Sequence, residues 1–167
     1  MKSYLCISIL LLFTAACNNI DNGFIEKYGN EDFSLFAGYR ITSIKPEGFG
    51  RLPIVFFIEE LNDTSQIRYV VELNDDRNEI KNMRKVFIRS RNATDGVIKE
   101  RKRFREMILK YNEFNIFMMR VDSRNNVFIT QRFDRQDKII AKIEDFESVD
   151  RSKWTQIKDN WYKTNKR

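Results

Sequence analysis

The chain has 167 residues, 42% of them hydrophobic and 13% aromatic. That fits one domain with a sizeable core and excludes a disordered tail, which lacks the apolar surface to offset its ordering entropy. The formal charge of +6 points towards anionic partners, and the absence of histidine removes imidazole acid–base catalysis, Ser-His-Asp and Cys-His nucleophiles and histidine-liganded zinc.

The chain opens with Lys2, an almost unbroken apolar run from Tyr4 to Phe13, and then Thr14, Ala15, Ala16 and Cys17. A positive start, a short hydrophobic stretch and small residues make a secretory signal. The run is shorter than the roughly 20 residues a membrane-spanning helix needs. The segment Thr14-Ala15-Ala16-Cys17 resembles the lipobox of bacterial lipoproteins, in the looser Bacteroidetes-like form, with Thr14 where Leu is usual. The resemblance covers the leader alone. It implies a lipid on the Cys17 sulfur, cleavage just ahead of it, and a chain anchored in the cell envelope. Asn18 after the cysteine leans towards the outer membrane, facing the periplasm or the surface.

Cleavage removes Cys6 and leaves Cys17 with its sulfur blocked, so neither an internal disulfide nor thiolate chemistry is expected. Export also argues against nucleic acid. The expected partners are the membrane through the lipid anchor and a protein or anionic component of the envelope. No cofactor or metal is expected.

Three regions follow: a signal peptide at 1–16, the lipidated Cys17 with a polar tether at 17–32, and a single domain at 33–167. Phe24, Ile25 and Tyr28 predict a short helix docked on that domain. Strands are expected at 35–44, 52–61, 67–73 and 83–89, with turns at Asn62-Asp63 and Asn74-Asp75-Asp76. A helix capped by Thr94 or Asp95 should bury Val97, Ile98, Phe104, Met107, Ile108 and Tyr111. Strands at 114–121, 127–133 and 138–143 come next. A last helix at 150–159 would place Trp154, Ile157 and Trp161 on one face. The expected class is α+β: a mostly antiparallel β-sheet of six or seven strands, with one main amphipathic helix and short terminal helices.

Candidate chemistry is sparse. Glu59, Glu60 and Glu72 are the carboxylates a glycosidase mechanism would draw on, and that mechanism needs a facing pair about 5–9.5 Å apart. Asp75, Asp76, Asn78 and Glu79 offer oxygen ligands, but lack the spacing and glycine of a calcium loop and read as turn residues. The segment 45–53 carries both prolines and sets Phe49 between glycines, with Arg51 nearby. The run Lys99-Glu100-Arg101-Lys102-Arg103, with Arg105, is the most basic stretch. Phe49, Arg51, Lys99, Lys102 and Arg103 are therefore the expected partner contacts. Trp154, Trp161 and Tyr162 are rings for packing or for stacking on sugars. The expected role is non-catalytic binding or interaction with an envelope partner. A lipid- or lipopolysaccharide-contacting structural lipoprotein and a carboxylate hydrolase of envelope glycan are the alternatives.

Overall fold

The computed structural model describes residues 19–44, 55–61, 67–87, 93–94, 100–132, 134, 136 and 138–165. Cys17 and the residues before it, the 45–54 connection with Phe49 and Arg51, Asn62-Asp63, and 95–99 with Asp95, Val97, Ile98 and Lys99 lie outside them.

The body is one antiparallel sheet with helices on one face. Its elements are α1 (Asn19–Tyr28), β1 (Tyr39–Ile44), β2 (Val55–Glu60), β3 (Ile67–Leu73), β4 (Ile80–Phe87), β5 (Ala93–Thr94), α2 (Arg101–Phe114), β6 (Met118–Val121), β7 (Val127–Thr130), β8 (Ile139–Lys142), β9 (Trp154–Lys158) and β10 (Trp161–Thr164). The strand order is β5-β4-β3-β2-β1-β6-β7-β8-β10-β9. The sheet thus grows in opposite directions from the β1–β6 pair, as a meander through β2 to β5 on one side and through β7 and β8 to the β10–β9 hairpin on the other, and α2 carries the chain back from one side to the other. Among the described residues the sheet has ten strands. β5 contributes only two residues, and the total exceeds the six or seven expected.

The covered face is built by alternation. In β3, Ile67, Tyr69, Val71 and Leu73 are buried while Arg68, Val70 and Glu72 are half-buried on the other side. Tyr39, Ile41, Phe56, Ile58, Met119, Val121, Val127 and Ile129 continue the same face across the neighbouring strands. Onto it α2 presses Phe104, Met107, Ile108, Tyr111 and Phe114, all buried. Each such side chain contributes about 1.5–3 kcal/mol of apolar burial. The expected helix α1 is present and docked. Phe24 and Ile25 are buried, Phe24 meets Trp161 edge-on at 6.0 Å between ring centroids, and the Tyr28 hydroxyl donates to the Glu113 carbonyl at 2.6 Å.

The expected C-terminal helix is not there. Arg151–Lys153 form a 3-10 turn, and a hairpin of β9 and β10 follows. The spacing of Trp154, Ile157 and Trp161 satisfies a helix, but Asp159 at φ +49° turns the chain back on itself. β10 then pairs with β8, and that pairing decides the conformation. Trp161 therefore faces the helices, whereas Trp154 packs on Phe128 on the opposite face, at 5.8 Å.

The α2 boundary also differs. Thr94 lies in β5, and the helix starts at Arg101 with Glu100 at its N-cap, making no side-chain cap bond. No described helix is long and apolar enough to cross a membrane.

Candidate functional site

The face of the sheet away from the helices is divided. Over β7, β8 and β10 a second small core forms, with Phe128, Ala141 and Ile143 buried under Phe146, Val149, Trp154 and Tyr162. The segment that supplies this cover is pinned by Asn126, which is fully buried. Its amide donates to Asp122 Oδ2, the Asp145 carbonyl and Ser148 Oγ. Its oxygen accepts from the Glu144 and Asp145 backbone N–H groups.

Over β1, β2, β3 and β6 no described segment covers the same face, and strand register lays a charged row across it. Arg68 pairs with Glu59, Glu59 with Arg40, and Arg40 with Arg120, which pairs in turn with Phe128. One carboxylate serves two guanidiniums: Arg40 Nη1 reaches Glu59 Oε2 at 3.1 Å, and Arg68 Nε reaches Oε1 at 2.7 Å. The Arg120 guanidinium lies 4.1 Å from the centre of the Phe128 ring, and no ion pair holds it among the described residues. Burial, and then repulsion from Arg40, pull its pKa below the ordinary arginine value, against the opposing pull of Asp122.

The next row along the strands is mostly uncharged: Val70, Phe57, Thr42, Met118, Thr130 and Ile139. Thr130 is fully buried, and its hydroxyl has no hydrogen-bond partner among the described residues. Beyond this row Ile44 is 42% exposed, the one large apolar residue so open among those described.

Arg40, Glu59 and Arg68 of the first row and Phe57, Thr42 and Met118 of the second, with Ile44, line a cavity of about 880 Å³. Ile44, Phe57, Ile116, Phe117 and Met118 supply its apolar lining; Arg40, Glu59, Arg68 and Arg132 bring the charges. That volume lies within the roughly 300–1,000 Å³ typical of small-molecule sites. Arg132 is held by Asp134 through two bonds of 2.9 Å. The 116–117 wall is fixed from below: the Tyr111 hydroxyl donates to the Phe117 carbonyl at 2.6 Å, and Ser43 Oγ to the Ile116 carbonyl at 3.3 Å. Burial pushes the Tyr111 phenol far above its ordinary pKa, so it stays a donor throughout the physiological range.

The carboxylates read as a catalytic set are not gathered. Glu59 and Glu60 are successive residues of β2 and point to opposite faces. Glu72 shares a face with Glu59 but pairs across from Val55, about 13 Å along the strand at ~3.3 Å per residue. Glu72 lies 3.6 Å from the Lys81 ammonium.

The Asn74–Glu79 stretch is a tight turn. Asn74 Oδ1 accepts from the Asn78 and Glu79 N–H groups, and Arg105 holds Glu79 at 2.8 Å. No metal-ligand cluster of three or more acidic, His or Cys residues occurs among the described residues.

The basic run at the start of α2 is largely committed to structure. Arg101 bonds the Ile80 carbonyl, Arg105 donates to the Asn78 carbonyl at 2.9 Å, and Arg103 lies over the Tyr39 ring at 4.8 Å. Lys102 is exposed. Arg103 thus stands at the Tyr39 end of the helix-covered face, away from the open row.

The signal that sequence reading passed over is Arg40, Arg68 and Arg120, each in a strand interior between apolar neighbours. A charge there must face water, a counter-ion or a ligand. No family model, curated protein or solved structure matches this chain. What fold and site together define is an open antiparallel sheet, packed by helices on one face and hollowed into a half-charged, half-apolar pocket on the other.

Proposed function

We propose that this chain is a lipid-anchored protein of the cell envelope with a non-catalytic binding role, and that the uncovered sheet face is its binding surface. The observation that carries the reading is the pocket of about 880 Å³ with apolar walls and an arginine-rich floor. Apolar walls with a few placed polar groups are what ligand sites share. The leader ending in Cys17 supports export and anchoring. The separation of Glu59, Glu60 and Glu72 supports binding over glycan hydrolysis.

Two measurements test this reading. Labelled palmitate should enter the wild type and not Cys17→Ala, and equal labelling of both removes the anchor. A photoreactive benzoylphenylalanine at Met118, in the pocket wall, should give a light-dependent adduct in intact cells. The same group at Glu106, exposed on the outside of α2, should give none. Equal adducts at both positions, or none at Met118, would overturn the assignment of the surface.

A further inference from the structure

Resting on that reading of the open face, we infer that this face takes a single-chain fatty carboxylate, its head at the pocket's edge between Arg40, which lines the pocket, and its cross-strand neighbour Arg120, which stands just outside the lining, and its hydrocarbon lying in the pocket over Phe57, Met118 and Ile44. The sheet carries an apparent fault. Arg40 and Arg120 are direct cross-strand partners on one face. Like charges so placed repel.

Arg40 shares Glu59 with Arg68, and Arg120 is half-buried with no ion pair among the described residues. The row therefore sets one carboxylate against three guanidiniums, in a place where partial burial strengthens every charge interaction. A carboxylate arriving between Arg40 and Arg120 answers that excess. Guanidinium forks match carboxylates two bonds at a time.

The rest of the ligand is set by what adjoins the charges. One row along the strands the floor becomes Phe57, Thr42 and Met118, and past it Ile44 stands open to solvent. Such a surface suits methylene groups, each contributing about 0.8 kcal/mol on burial. A cavity of about 880 Å³ is of small-molecule size, which favours one acyl chain over a many-chained lipid.

The test uses the full chain carrying Cys17→Ser, so that no lipid of its own competes. Calorimetric titration with decanoate should show binding, and the uncharged decanol should bind more weakly. Arg120→Gln should weaken decanoate roughly tenfold or more while leaving decanol unchanged, since a hydrogen bond to a charged group is at stake. Arg120→Lys should fall between, and Lys102→Gln on the distant helix should match the parent. Arg120→Gln relieves a repulsion, so it should fold, and circular dichroism checks that.

Absence of decanoate binding, equal affinity for decanol, or equal losses in Arg120→Gln and Lys102→Gln would each overturn the inference. A Met118 adduct in cells without decanoate binding would remove the fatty carboxylate and leave the open face as the binding surface. Loss of both would remove the surface as well.

Discussion

One face of one sheet is finished in two ways. Above β7, β8 and β10 the chain returns over its own strands. The 3-10 turns Phe146–Ser148 and Arg151–Lys153 are capped by Asp145 and Asp150, and Phe128 is shut away beneath Trp154. Above β1, β2, β3 and β6 no described segment returns, and arginines occupy the strand interiors. The open half is therefore not simply where the chain ran out of apolar residues. Phe57, Met118 and Ile44 are there, beside Arg40 and Arg68 in the pocket lining and Arg120 on the neighbouring strand.

The sharpest way to break that contrast is a pair of aromatic truncations. Phe128→Ala, in the sealed half, should cost about 3 kcal/mol or more of unfolding free energy. Phe57→Ala, half-buried in the open half, should cost about 1 kcal/mol. Urea denaturation measures both. Equal losses would mean that the open half is packed like a core.

Asn126→Ala comes next. It strips five side-chain bonds from a buried position and leaves the Glu144 and Asp145 N–H groups without their acceptor. A loss of about 2–3 kcal/mol is expected. Hydrogen exchange should quicken across 144–149 while the amides of β1–β3 keep their protection. A uniform loosening would show that the two halves are not separable.

Openness on one face does not extend to the other, and alkali can show it. Tyr69 of β3 points to the helix side, against Phe104 at 4.8 Å, where burial and then the charges of Glu60 and Glu100 push its phenol up to about 12. Folding thus favours the protonated phenol. That stabilisation is complete below the ordinary value of 10.0 and is lost as pH rises through about 12. Unfolding by urea should become easier between those limits, and less so in Tyr69→Phe. An unaltered pH dependence in Tyr69→Phe would contradict the burial.

How much of this the sequence carried depends on where the deciding interaction lies. Ile67 to Leu73 alternates so regularly that the strand could be read residue for residue, and the helical face of Phe104, Met107, Ile108 and Tyr111 was equally plain. The β9–β10 hairpin was hidden because three apolar residues obey a helical spacing, and only pairing with β8 overrules it. The candidate site was hidden for a related reason. Arg40, Glu59, Arg68 and Arg120 come from four strands, and nothing local reveals that register sets them side by side. Charge counting drew attention instead to the run from Lys99 to Arg105. There, the arginines of α2 are largely spent on tying the helix to the 78–80 turn and to Tyr39.

The smallest effect bears most directly on the open half. If the Arg40–Arg120 neighbourhood is a cost borne for binding, then Arg120→Gln should leave stability unchanged or raise it, by about 0.2–1 kcal/mol, the range for relieving a cross-strand like-charge pair. The stacking of Arg120 on Phe128 works in the other direction, at about 0.5–1 kcal/mol for a partly exposed pair. The two contributions separate with salt. Repulsion is screened, so any gain from Arg120→Gln should be largest at low ionic strength and fade as salt is added. A clear loss of stability, independent of salt, would mean that Arg120 serves packing and that its place beside Arg40 asks for no ligand.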